Sequence, residues 1–227
     1  MIYIRRNNND SNIKSKISTF FDYLTMIFDI CDYIYTNKSS ISKDAGLPLS
    51  VFNVIIRDNR AFVYFNRDKY VSVYFPFGFS SSDDRFYLNK YLIDTKRISH
   101  LRTILDSIKN EGSFLEGMKN CNDGVSPSDP DYATDEDKDV FSEVCMLEAG
   151  YLRFDFDTKN AKGKIHPLNH LDINYSKDAT YKIGLHEKMK PEMFLQILDN
   201  SKERYFIEKE SRWKRWLSVL LRRKYIS

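Results

Sequence analysis

Apolar residues recur every three or four positions early in the chain, between residues 12 and 36. This spacing places them along one side of a 3.6-residue turn and predicts an amphipathic helix. Asp10 or Ser11 can cap its start, because a side-chain oxygen can accept a free amide of the first turn. Gly46 and Pro48 mark the polar stretch that follows it. The apolar positions are Ile13, Ile17, Phe20, Leu24, Ile27, Phe28, Cys31, Ile34 and Tyr35.

β-branched and aromatic residues dominate residues 51–77, in runs separated by polar turns. The turns at 57–60 and 66–69 divide this region into three runs, which predicts an antiparallel meander. Residues 85–110 return to helical spacing and predict a partly broken amphipathic helix. Residues 140–185 alternate again between apolar and polar positions, which predicts strands with one buried and one wetter face.

Helical spacing also returns toward the end of the chain. Pro191 suits the first turn of a helix, where its missing N–H costs no hydrogen bond. A further helix is predicted around 203–225, with tryptophans and leucines on one side and cations on the other. The pattern as a whole predicts an α+β fold, with a mixed or antiparallel sheet flanked by an N-terminal amphipathic helix and C-terminal helices.

Residues 111–138 combine glycines and prolines with acids and serines, which predicts a long, mobile, acidic loop. The apolar segments on either side of it need each other to complete a core, so we expect residues 1–227 to form a single domain. A hydrophobic fraction of 42% and an aromatic fraction of 15% supply enough apolar area for that core without disulfides or metals.

Composition also limits the compartment. No run of about 18 apolar residues occurs, so we predict no transmembrane segment. The first ten residues lack the apolar stretch of a signal peptide. The cysteines at 31, 121 and 145 are far apart and form no CxxC pair, so reduced thiols in the cytoplasm are the simplest interpretation. We therefore expect a cytoplasmic protein without a cofactor.

One stretch combines residue types that can carry out chemistry. Within residues 152–157, Arg153 and the two aspartates that follow it alternate with apolar positions. Within residues 169–175, His170 and Asp172 alternate with apolar positions in the same way. If these runs pair as strands, cross-strand neighbours lie ~5 Å apart, so an Arg–Asp–His cluster can form. Histidine exchanges protons near neutral pH, and a carboxylate can orient its ring. The candidate catalytic residues are Asp155, Asp157, His166, His170 and Asp172.

Other interpretations of this stretch stay open. Alternating charges on the wet face of a sheet often form plain cross-strand ion pairs, and His166 before Pro167 can simply set the extended start of a strand. A metal site built on His166 and His170 is disfavoured, because Pro167 argues against a helix and strand positions 166 and 170 would lie ~13 Å apart. No metal ligand is therefore predicted.

The same residues carry a resemblance to a known family. The strand pattern Arg-aromatic-Asp-aromatic-Asp, followed by His-Pro-x-x-His-Leu-x-Ile and a Pro-x-x-Phe helix, resembles the bacterial domain-of-unknown-function family numbered 2290. The similarity covers roughly residues 147–206. In such families the second histidine is often followed by another two residues on, whereas this chain has Asp172 there. The resemblance implies a bacterial cytoplasmic protein and brings no activity or catalytic residue with it.

Charge is unevenly distributed along the chain, although the net charge is only +3. Residues 122–143 are rich in acids, and the predicted helix around 203–225 is rich in lysine and arginine. Basic clusters attract phosphate backbones, but a basic helix can equally contact an anionic membrane surface or present a solvated face. The candidate nucleic-acid-binding residues are Arg212, Lys214, Arg215, Arg222, Arg223 and Lys224.

Three functions are compatible with these patterns. The first, which the sequence favours, is a non-catalytic subunit of a larger bacterial assembly, for example in phage defence, that contacts DNA, RNA or a partner protein. The second is a hydrolytic enzyme or toxin, nuclease-like, that uses the His/Asp cluster. The third is an interaction protein whose acidic loop 122–139 engages a basic partner. Sequence alone does not decide whether the chain is an enzyme.

Overall fold

The computed structural model describes most of the chain, in the ranges 2–6, 13–38, 41–42, 52–175 and 181–199. The basic helix predicted around 203–225, with its six candidate nucleic-acid-binding residues, lies outside the described residues. None of the helices in those ranges is both long and apolar enough to cross a bilayer.

Helices and strands alternate in blocks along the described chain. The helices are α1 (Phe20–Thr36), α2 (Thr95–Glu111), α3 (Phe114–Asn120), α4 (Asp135–Cys145) and α5 (Pro191–Gln196). The strands are β1 (Ile2–Arg6), β2 (Ile41–Ser42), β3 (Phe52–Arg57), β4 (Arg60–Tyr64), β5 (Lys69–Tyr74), β6 (Gly78–Ser80), β7 (Arg85–Leu88), β8 (Tyr91–Ile93), β9 (Leu152–Phe156), β10 (Asn169–Ile173) and β11 (Tyr181–Gly184).

The strands form two antiparallel sheets. The larger sheet has the order β11-β10-β9-β5-β4-β3-β1-β2, and the smaller has the order β6-β7-β8. The predicted α+β class is confirmed, and the predicted meander is present as β3, β4 and β5. Between β5 and β9 the chain forms the small sheet and three helices before it returns to pair with β5.

The large sheet is covered on both faces. The α1 helix lies over one face, where Tyr23 and Phe28 belong to the same core cluster as Val63 and Val71. The α5 helix lies over the other face, where the Phe194 ring is 5.7 Å from that of Tyr70. Strands β4 and β5 therefore each bury side chains on both faces of the sheet. This burial explains why their sequences are almost continuous runs of apolar and aromatic residues.

The first helix begins later than its apolar spacing predicts. Thr19 has extended backbone and accepts a hydrogen bond from the Asp22 amide, while the Asp22 carboxylate accepts one from the Thr19 amide. This capping box satisfies first-turn donors and starts α1 at Phe20. Ile13 and Ile17 are nevertheless buried, in irregular backbone.

The prediction of a helix over residues 85–110 is wrong for the first third of that range. Residues 85–93 form the β7–β8 hairpin, in which Leu88 pairs with Tyr91 and Asn89 takes up a positive φ of 53°. Asn is among the few residues that tolerate this conformation, so it permits a two-residue turn. The Asp94 side chain then accepts a hydrogen bond from the Arg97 amide and caps the start of α2.

Residues 111–138, predicted to be one loop, contain α3 and the start of α4, and the strand pattern predicted from residue 140 begins inside α4. Three of the acids that indicated a loop occupy the first turn of α4, where the positive end of the helix dipole stabilises them. Thr134 and Asp137 form a capping box there. Only residues 112–113 and 121–134 of the predicted loop lack helix or strand.

Candidate functional site

The strand register brings the predicted Arg–Asp–His cluster together on one face of the large sheet. In the β9–β10 pair, His170 lies opposite Asp155 and Asp172 lies opposite Arg153. Arg153 in turn lies opposite Val71 of β5, whose side chain belongs to the core under α1. The charged cluster is therefore a lateral continuation of the core-facing side of the sheet, which explains why its carboxylates are buried.

Two lysines from neighbouring strands complete the cluster. Lys69 of β5 lies opposite Asp155, and Lys182 of β11 lies opposite Asp172. The Lys69 ammonium is 3.3 Å from Oδ1 of Asp155, and the Lys182 ammonium is 2.5 Å from Oδ1 of Asp172. Their side chains are 36% and 31% exposed, whereas those of both aspartates are below 10%. The lysines thus form the solvent-facing rim of a buried anionic pair.

Arg153 holds the two carboxylates together. Its Nε donates to Oδ2 of Asp155 at 2.6 Å, and its guanidinium also donates to Oδ2 of Asp172. A third donor reaches the hydroxyl of Tyr151 at 3.0 Å. Burial raises the pKa of Tyr151 to about 12, so this hydroxyl stays neutral. One planar guanidinium therefore fixes both carboxylates from the side of the protein core.

His170 is held as a neutral ring with a defined tautomer. Its Nδ1 lies 2.8 Å from the Pro167 carbonyl oxygen, which can only accept, so Nδ1 carries the proton. Its Nε2 lies 3.1 Å from the Lys182 ammonium, which can only donate, so Nε2 presents a lone pair. Burial lowers the pKa of His170 below its ordinary value, in agreement with a neutral ring. The lone pair of Nε2 points at the same ammonium as the Asp172 carboxylate.

Two of the predicted catalytic residues lie beside this cluster rather than in it. Asp157 follows the end of β9 and accepts hydrogen bonds from the amides of Lys159 and Asn160. The Asn160 side chain donates to it as well and lowers the pKa of Asp157 to about 2. His166 lies in the loop before β10, with Nε2 3.3 Å from Asp157 Oδ2. The parity that placed Asp157 with Asp155 fails because the strand ends at Phe156.

The sequence-based separation of the two histidines is also wrong. The rings of His166 and His170 are perpendicular, with centroids 4.8 Å apart. The estimate of ~13 Å assumed one continuous strand, but His166 precedes β10 and forms a bridge with Lys162. Among the described residues, one group of metal-ligating side chains lies close together: the ligand atoms of Asp155, His170 and Asp172 are all within 4.8 Å of one another.

Sequence reasoning missed a second buried acid–imidazole pair. His100 of α2 lies with Nδ1 2.7 Å from Asp137 Oδ2 and with Nε2 2.8 Å from the Pro130 carbonyl oxygen. Burial opposes ionisation of Asp137, but hydrogen bonds from Thr134 and His100 lower its pKa below the ordinary value. Arg97 pairs with the other carboxylate oxygen at 3.0 Å. The only sequence signal was the Thr134–Asp137 capping box.

This pair ties residues 121–134 to the helices. Both ring nitrogens of His100 face acceptors, so the full set of hydrogen bonds requires the doubly protonated ring. The imidazole thereby links the backbone at Pro130 to α2 and α4, in addition to the core contacts of Cys121 and Ala133. Its position indicates a structural role, because neither ring nitrogen is left to act on a ligand.

We expect His100→Ala to lower the free energy of unfolding by about 2 kcal/mol, since it removes two buried hydrogen bonds, one of them to a carboxylate. Amide hydrogen exchange should accelerate most in residues 121–134. His186→Ala, at an exposed histidine, is the matched control. Equal exchange rates in both variants would show that the imidazole does not hold this segment.

Known proteins give no indication of function, so the geometry of the site is the basis for the proposal below. No protein-family model, curated protein or solved structure matches this chain. The resemblance of residues 147–206 to the domain-of-unknown-function family stays a prediction.

Proposed function

We propose that this chain is a nuclease-like hydrolase that cleaves phosphodiester bonds at the cluster of Asp155, His170 and Asp172. The observation that supports the proposal is the convergence of these side chains, from two paired strands, within 4.8 Å of one another. A hydrolytic site needs groups that can activate water, and two carboxylates beside a neutral imidazole belong to that chemistry. All three side chains are buried, unlike those of ion pairs on an exposed sheet face.

The charge around the cluster supports a phosphate-bearing substrate. Arg153, Lys69 and Lys182 bring three positive charges to the two carboxylates, which leaves an excess of positive charge. The loop between β9 and β10, whose Pro167 carbonyl accepts a hydrogen bond from His170, carries three further exposed lysines. These loop residues are Lys159, Lys162 and Lys164. A phosphodiester backbone is attracted to such a rim, and its binding weakens as salt rises.

The rim and the buried groups have different tasks in this proposal. The lysine ammoniums, which are partly exposed, bind the phosphate and stabilise the charge that develops on it. The buried carboxylates and imidazole activate the attacking water. Arg153 contacts no substrate and keeps the two carboxylates in register.

The competing function, a non-catalytic subunit that contacts nucleic acid or a partner, was favoured by the cations around 203–225. Those residues lie outside the described part of the chain, so they add no structural support. The buried cluster of Asp155, His170 and Asp172 is a specific observation that favours the hydrolase. Cytoplasmic location and a role in phage defence stay predictions.

The test is a cleavage assay on end-labelled single-stranded DNA, duplex DNA and RNA at low salt. We expect cleavage of at least one substrate, reduced at least ~100-fold in Asp172→Asn and in His170→Gln, since these remove water-activating groups. Lys188→Met is the matched control, because Lys188 packs on Phe156 and pairs with Asp68 outside the cluster.

Variants purified in parallel control for contaminating nucleases. Cleavage by Asp172→Asn at the wild-type rate would contradict the hydrolase. Salt-dependent binding without cleavage of any substrate would support the non-catalytic subunit in its place.

A further inference from the structure

Each carboxylate of the cluster keeps one oxygen out of the contact with Arg153. The guanidinium occupies Oδ2 of Asp155 and Oδ2 of Asp172, and the Oδ1 atoms face the lysine side. Oδ1 of Asp155 is fully buried and accepts no hydrogen bond within the described part of the chain, although the Lys69 ammonium lies 3.3 Å away. That contact is longer than the ~2.7–2.9 Å of a charge-assisted hydrogen bond, so this buried acceptor is only weakly satisfied.

We propose that Asp155, His170 and Asp172 bind a divalent transition-metal ion, and that the Lys182 ammonium leaves its place between His170 and Asp172 when the ion enters. The inference rests on the proposed function, because the ion would supply the activated water at the same site. One imidazole nitrogen with two carboxylate oxygens is a ligand set that suits Mn²⁺, Fe²⁺ or Zn²⁺ better than Ca²⁺.

The spacing of the ligand atoms fits a small contraction around an ion. They lie within 4.8 Å of one another, and Nε2 of His170 is 3.7 Å from Oδ2 of Asp155 and 3.7 Å from Oδ1 of Asp172. The Asp155 oxygen also accepts a hydrogen bond from Arg153, and a carboxylate oxygen has a second lone pair for an ion. Neighbouring ligands in a tetrahedral shell with bonds of about 2.1 Å lie roughly 3.4 Å apart. Closing the shell therefore requires each ligand atom to move by about 1 Å, which side-chain torsions can supply without a change of the strands.

The hydrogen-bond partners of the three proposed ligands resemble the outer shell of known metal sites. The Nδ1–H of His170 donates to the Pro167 carbonyl, which fixes the ring and aims Nε2 forward. Arg153 holds Oδ2 of both carboxylates, so the orientation of each carboxylate is fixed. The ligands are thus oriented before any ion arrives.

The Lys182 ammonium occupies the position between His170 and Asp172 that the ion would take. Its ammonium is 3.1 Å from Nε2 of His170 and 2.5 Å from Oδ1 of Asp172. It extends from β11, the outermost strand on its side of the sheet, and about a third of its side chain is exposed. A lysine on four flexible methylenes can swing into solvent from there. The metal ion and the ammonium then compete for the same two atoms.

The experiment measures Mn²⁺ binding to the full chain without substrate, by calorimetry and electron paramagnetic resonance after removal of metals with EDTA. We expect Lys182→Met to bind Mn²⁺ at least ~10-fold more tightly than the wild type, since it removes the competing cation. Asp172→Asn and His170→Gln should each bind at least ~10-fold more weakly. Lys188→Met makes the same change of charge outside the cluster and should leave the affinity unchanged.

Circular dichroism of every variant establishes that it is folded, and Lys182→Met gives a gain that unfolding cannot imitate. The absence of saturable binding in both the wild type and folded Lys182→Met would overturn the metal site. Equal affinities in Lys182→Met and Lys188→Met would overturn the exchange with Lys182. Cleavage that persists in EDTA, without Mn²⁺ binding, would overturn this inference and leave the hydrolase standing. Mn²⁺ binding without cleavage of any substrate would support the metal site and contradict the hydrolase.

Discussion

Replacing Arg153 with methionine should lower the free energy of unfolding by about 3–5 kcal/mol, because it leaves two buried carboxylates without their shared cation. The guanidinium bonds both Asp155 and Asp172, and its side chain is only 12% exposed. Urea denaturation of the wild type and Arg153→Met at neutral pH measures the loss. Methionine preserves much of the aliphatic volume, so the difference reports the charge.

Arg102 offers a matched control for this prediction. Its guanidinium also bridges two aspartates, Asp29 and Asp32, but its side chain is 30% exposed and that of Asp32 is 43% exposed. Water screens such a pair, so Arg102→Met should cost no more than about 1 kcal/mol. Similar losses in the two variants would show that the sheet cluster is no more desolvated than an ordinary surface ion pair.

A combination of substitutions separates the contribution of charge to stability from that of packing at the cluster. If Arg153→Met is destabilising because it strands two anions, neutralising them with Asp155→Asn and Asp172→Asn in the same chain should recover part of the loss. The expected coupling has the sign of a favourable interaction between groups in direct contact. Purely additive losses would place the main contribution of Arg153 in its packing.

Gly117→Ala should lower the free energy of unfolding by about 2–3 kcal/mol, although alanine is the better helix former. A Cβ at this position would lie 2.3 Å from the Cα of Ile108 and 2.6 Å from its backbone nitrogen, so α3 could not keep its present distance from α2. Overpacking against backbone cannot be relieved by a change of rotamer. The gain in helix propensity, about 1 kcal/mol, offsets only part of that strain.

Thermal or urea unfolding of Gly117→Ala checks this prediction. The matched control is Gly78→Ala in β6, where the added Cβ would meet only the Tyr87 carbonyl oxygen at 3.8 Å, an ordinary contact. A loss in Gly78→Ala as large as that in Gly117→Ala would mean that the close contact between α2 and α3 is not the cause.

Local periodicity predicted the elements whose pattern is uninterrupted. The stripe that contains Leu24, Ile27 and Phe28 forms the buried side of α1. The alternation in 152–157 and 169–175 forms β9 and β10 with the charged residues on one face, but that face, predicted to be the wetter one, is buried. Prediction failed where a few polar side chains set the local structure. Asn89 lies in the turn of a hairpin where a helix was predicted, and three acids of the predicted loop form the first turn of α4.

The sequence by itself determined which residues of the two site strands share a face, because alternate side chains of a strand point to opposite sides. It therefore predicted the grouping of Arg153, Asp155, His170 and Asp172. Only the tertiary structure decided the register, the burial, and the position of Lys69, whose strand β5 pairs with β9 from a distant part of the chain. Lys182 reaches Asp172 from β11, the next strand along the chain. Strand register and burial depend on hydrogen bonds and packing between segments far apart in sequence, and no local pattern of residues encodes them.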